Sequence, residues 1–123
     1  MKIEISNGEL LDKLTILEIK LHRISDPEKL TRIQEEHSLL KPLGDLLIPA
    51  VTDQYGELSR INLLLWEIED AIRDFERNQQ FGEPFVEAAR LVYRYNDERA
   101  RVKREINLLT NSLLAEEKSY AGY

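Results

Sequence analysis

Apolar residues recur along this chain at alternating steps of three and four, the spacing of one face of a helix. Leu10, Leu14, Leu17, Leu21 and Ile24 form the first such seam. Ser6-Asn7-Gly8-Glu9 precedes it in the form of a capping box, with the Ser6 hydroxyl accepting from the backbone of Glu9 and Glu9 reaching back. Together they predict a helix over Asn7 to Arg23. Ahead of it, Lys2-Ile3-Glu4-Ile5 alternates and reads as a short extended segment laid against the fold. Ser25-Asp26-Pro27 is a boundary, because aspartate caps a helix and proline suits its first turn. A second helix carries Leu30, Ile33, His37 and Leu40. Pro42 and Gly44 leave the course from Lys41 to Gly56 open: the helix ends, kinks or restarts through Leu43, Leu46 and Leu47, and Ile48-Pro49 closes it.

The third seam is Leu58, Ile61, Leu65, Ile68, Ile72 and Phe75, in a helix from near Thr52 or Asp53 to Asn78. The fourth begins at Pro84 and carries Phe85, Ala88, Val92, Tyr95, Arg99, Val102, Ile106 and Leu109. No linker, repeat or low-complexity tract divides the chain, so residues 1–123 read as one domain. The fold class is all-α: an antiparallel bundle of four main helices. At 1.5 Å per residue the last two helices are roughly 40 Å long and the first about 25 Å. They therefore form a long hairpin that the first two cover incompletely.

Composition narrows the chemistry. There is no cysteine, so disulfides, thiolate zinc sites and cysteine nucleophiles are excluded. Two histidines cannot build a histidine-rich metal site. The net charge of −6 argues against a general nucleic-acid binder. The charge is uneven: Pro84 to Asn111 has six Lys+Arg and four acids, net +2, which leaves −8 for the rest. The N-terminus has no apolar core of a secretory signal, and no apolar run approaches the length of a membrane span. The expected location is the cytoplasm.

Four sets of residues are candidates for function. Ile16, Ile19, Leu63, Trp66, Val86 and Tyr93 lie off the seams of their helices. They mark a surface for self-association, most simply a two-fold homodimer, or else a first helix so central that it touches more neighbours. The second set is polar residues within or beside the seams. Arg99 takes a core slot and needs a partner such as Asp12, Glu69 or Glu76, while His37 takes another and reads as a satisfied core histidine. Asp12, Lys13, Glu69, Arg73, Asn96, Arg99 and Lys103 form either a structural ionic network or an anion pocket. Glu69 and Arg73 are also spaced for an i,i+4 pair. The third set is the carboxylate pairs Glu9/Asp12 and Glu67/Asp70, whose spacing of three lets each pair share a hard divalent cation. No cofactor is expected otherwise; magnesium or manganese enters only if the chain is a hydrolase of a nucleotide or other phosphorylated substrate. The fourth is the basic stretch of the last helix, which lacks the aromatic platform of a single-strand binder.

Ile5-Ser6-Asn7-Gly8-Glu9-Leu10-Leu11-Asp12-Lys13-Leu14-Thr15-Ile16-Leu17-Glu18-Ile19-Lys20 resembles the opening of a family of short, uncharacterised bacterial helical proteins. Trp66 to Arg73, Asn96 to Ala100, Lys103 to Asn107 and the tail Glu116-Glu117-Lys118-Ser119-Tyr120 carry the same resemblance. It implies a helical fold and no established activity, in the company of sugar-transfer and cell-surface polysaccharide proteins. It also draws attention to polar residues such as Asn107 and Arg104. The expectation is a small binding or assembly module that self-associates and has room for a protein partner. The alternative is the metal-dependent hydrolase.

Overall fold

The computed structural model describes residues 1–115. The tail motif Glu116 to Tyr120 lies outside the described residues. The fold is an all-helical bundle of four helices: α1 (Asn7–Arg23), α2 (Pro27–Leu47), α3 (Thr52–Arg77) and α4 (Glu83–Leu109). A 3-10 turn, Ile48–Ala50, joins α2 to α3. Ser6 and Asp26 cap α1 and α2 from their side chains. The open stretch is thus settled, because α2 runs through Pro42 to Leu47. Proline there costs little: Pro42 and Ser38, whose carbonyl loses its helical partner, are both exposed to water. Gly44 faces inward, where an added Cβ would strike Leu14.

Leu11, Leu14, Val51, Leu58, Ile61, Leu65, Val102 and Ile106 form the core. Leu11 belongs to no predicted seam, yet it is buried. The reason is topological. α1 packs against all three other helices, whereas α2 packs chiefly on α1. A central helix needs more than one apolar stripe. Ile3 is exposed, so the segment ahead of α1 does not lie flat on the bundle.

α3 and α4 run antiparallel. Arg101 reaches Glu57, Arg60 lies opposite Glu98, and Phe75 meets Phe85 edge to face. This register puts Leu109 level with the 3-10 turn, past the start of α3, and explains why the last residue of its seam is exposed. Both helices outrun α1. From Trp66 to Arg101 no residue is buried, although Ile68, Ile72, Phe75, Val92 and Tyr95 keep the seam apolar. The hairpin therefore leaves the body of the fold as a two-helix arm.

Candidate functional site

The polar centre of the molecule is Asp12, only 1% exposed. Its Oδ1 accepts from Arg99 Nε at 2.8 Å and from Asn62 Nδ2 at 2.8 Å. Its Oδ2 takes Arg99 Nη2, completing a two-pronged pair, and Lys103 Nζ lies 3.9 Å away. Lys103 also binds Glu9, Nζ to Oε2 at 2.6 Å. The Glu9 carboxylate thus reaches α4, while its backbone N–H donates to Ser6 Oγ as the capping box requires. Asn62 spends a second hydrogen bond on Thr15 Oγ1, which in turn donates to the Asp12 carbonyl. A carboxylate so deep in the fold is tolerable because its oxygens are satisfied. Hydrogen bonding to Asp12 also holds the Arg99 guanidinium above its already high pKa, against the opposing effect of burial.

α4 and the turn that follows it cap α1 from outside. Asn107 Oδ1 accepts from Gly8 N at 2.7 Å, Ser112 Oγ accepts from Asn7 N at 3.0 Å, and Asn7 Nδ2 donates to Thr110 at 2.9 Å. With Ser6, these satisfy the first three amides of α1, which no helix can satisfy internally. The close approach depends on Gly8, where a Cβ would sit 2.5 Å from the Lys103 carbonyl.

Of the seven residues expected in one network, Asp12, Asn96, Arg99 and Lys103 come together. Lys13 pairs instead with Glu36 on α2, 3.4 Å away. Glu69 and Arg73 are exposed and form no i,i+4 ion pair among the described residues; Glu69 still contributes to the field at Arg99. Thr15 and Asn62 escaped the sequence reading. Their signal was position: Leu58, Asn62 and Leu65 share one face, as do Leu11 and Thr15. Arg104 adds a buried guanidinium nitrogen on the same helix.

A second cluster joins three helices. Tyr55 on α3 donates to Glu18 on α1 at 2.9 Å, and His37 on α2 lies 3.8 Å from the same carboxylate. Burial, then the Glu18 hydrogen bond, raises the Tyr55 pKa well above its usual 10. The sign follows directly. The unfolded tyrosine loses its proton from about pH 10 while the folded one keeps it, so stability falls as pH rises above 10. Tyr55→Phe is expected to flatten the loss of melting temperature between about pH 9 and 11, at a cost of about 1 kcal/mol at neutral pH. Equal slopes for the two proteins would refute this.

The carboxylate pairs do not converge on a cleft. Glu9 and Asp12 face Lys103 and Arg99, Glu67 pairs with Arg23, and Asp70 is exposed. Among the described residues no group of three or more acids and histidines is placed to hold a metal ion. The six off-seam apolar residues are spread over α1, α3 and α4. Ile19 and Leu63 line a shallow groove between α1 and α3 with Thr15, Ser59 and Arg23. Ile16 and Trp66 are half-buried, and Val86 and Tyr93 are exposed on the arm. A further stripe was missed: Leu39, Leu43 and Leu46 are 75%, 51% and 79% exposed on α2.

No helix among the described residues is long and apolar enough to cross a membrane. No curated protein matches the chain, and no solved structure does. One family does match, over residues 1–123, in keeping with the expected resemblance to an uncharacterised family. The chain belongs to DUF6165, a family of unknown function.

Proposed function

We propose that this chain is a binding and assembly module that self-associates. The observation that carries the reading is the apolar line Leu39, Leu43 and Leu46 on the outer face of α2. Their spacing of four and three is half of a coiled-coil seam, and a helix wet on that side has no use for three exposed leucines. A second α2, related by a two-fold axis, is the simplest closure. The charge pairs support the same reading: buried Asp12, partly buried Glu9 and exposed Glu67 are each paired with a cation of the same chain, which leaves them little capacity for a metal or a proton transfer.

The expected result is a dimer at high micromolar concentration by sedimentation velocity. Leu39→Glu/Leu46→Glu should weaken it by about tenfold or more. Leu63→Glu and Trp66→Glu, on the other candidate surface, should weaken it less. A wild type that stays monomeric removes self-association; a dimer that survives the α2 changes but not Leu63→Glu moves it to the α1–α3 groove.

A further inference from the structure

The net charge divides along the hairpin rather than between helices. From Trp66 to Glu98 there are nine acids and four arginines, net −5, out of −6 for the whole chain. The body is close to neutral and the arm is acidic.

The arm also prolongs a channel. In the body, α1 lies between α3 and α4, touching Asn62 on one side and Arg99 and Lys103 on the other. α1 ends at Arg23, which is paired with Glu67. The faces it lies on continue. Seven and fourteen residues beyond Asn62 on α3 come Glu69 and Glu76, and seven beyond Leu65 comes Ile72. On α4, seven and fourteen before Arg99 come Val92 and Phe85, and before Lys103 come Asn96 and Ala89. Residues seven apart share a helical face. The channel that α1 fills thus runs on for about three turns, with Val92, which packs on the core, at its root and an apolar floor of Ile72 and Phe85. At the tip lies a hollow lined by Phe75, Gln80, Gly82, Pro84 and Phe85. Both floor residues are only partly buried.

Its polarity is the reverse of the body's. There the channel wall offers Arg99 and Lys103 to the acids of α1. In the arm the wall offers Glu69 and Glu76, with Arg73 the cation between them, and Asp70 and Asp74 nearby. We propose that the arm channel is the docking site for a basic amphipathic helix of another protein, laid where α1 would lie if it were longer. A second copy fits poorly, since it would bring two arms of net −5 together. The proposal is separate from self-association through α2, because it uses a different surface and a different readout.

The test uses a fluorescein-labelled peptide of about 18 residues with lysines on one helical face and leucines on the other. A peptide of the same composition in scrambled order is the control. The expected result is binding of the ordered peptide to the full-length protein by anisotropy, with a shift in the emission of Trp66, the chain's one tryptophan, at the root of the arm. Glu69→Lys/Glu76→Lys should weaken binding by about tenfold or more, and Glu28→Lys/Glu35→Lys on α2 should leave it unchanged. All four glutamates are exposed, so both variants should fold, as circular dichroism will verify. The proposal is overturned by equal binding of the scrambled peptide, by equal weakening from the α2 changes, or by no binding at all. It is equally overturned if the arm changes alter sedimentation of the protein alone, which would make a second copy the occupant.

Discussion

Asp12→Ala is expected to cost the fold about 3 kcal/mol, the largest loss from any single polar side chain in the molecule. The reason is less the pair itself than what its removal leaves behind. A buried ion pair roughly balances its desolvation cost, but a lone buried charge does not. Without Asp12, Arg99 keeps no carboxylate partner and stands one turn from Lys103 on the same helix, and Asn62 loses one of its two acceptors. Arg99 is 28% exposed and can swing partly into water, which places the estimate at the low end of the 3–5 kcal/mol range for broken buried pairs. Urea denaturation followed by circular dichroism measures the loss. Asp12→Leu combined with Arg99→Met should recover much of it, since no unpaired charge then remains. A single-variant loss below about 1 kcal/mol would show that the network is solvated rather than buried.

Gly8→Ala is expected to destabilise by about 1–3 kcal/mol, against the sign that helix propensity gives. Alanine is better than glycine inside a helix by about 1 kcal/mol. Gly8, however, has no unusual backbone conformation for alanine to strain; its constraint is space. The added methyl meets the backbone carbonyl of Lys103 at 2.5 Å and Asn107 Oδ1 at 3.0 Å. Backbone cannot rotate aside as a side chain can. The helices must separate, and the Gly8–Asn107 hydrogen bond lengthens with them. A thermal melt decides the sign, and a stabilised variant would mean that α1 and α4 do not approach so closely.

These two positions show what could be read from the chain and what could not. The seams gave all four helices because periodicity is local, and Ser6 and Asp26 gave two starts because caps are local too. Arg99 stood out as a cation in a core slot, and Asp12 was among its possible partners. The choice between Asp12, Glu69 and Glu76 was not legible. One residue in three is charged, so every cation has several acids within reach, and helix rotation alone decides which of them meet. The same holds for Lys13, which turned to α2 and Glu36. Gly8 looked like part of a cap, and nothing local said that another helix would touch it. The leucines of α2 were hidden by Pro42, which left their helix in doubt. Leu11 was missed because a central helix obeys no single stripe.

The central position of α1 also sets an order of events during synthesis. α1 is made before the three helices that pack on it. Yet Arg99, the principal partner of Asp12, comes 87 positions later in the chain. Until then the carboxylate has no counter-ion to enter a core with, and the first amides of α1 lack the side chains of Asn107 and Ser112. The α3–α4 hairpin needs only a short turn and forms from neighbouring sequence. The element around which the structure is built is thus secured last, when the fourth helix closes back on the first.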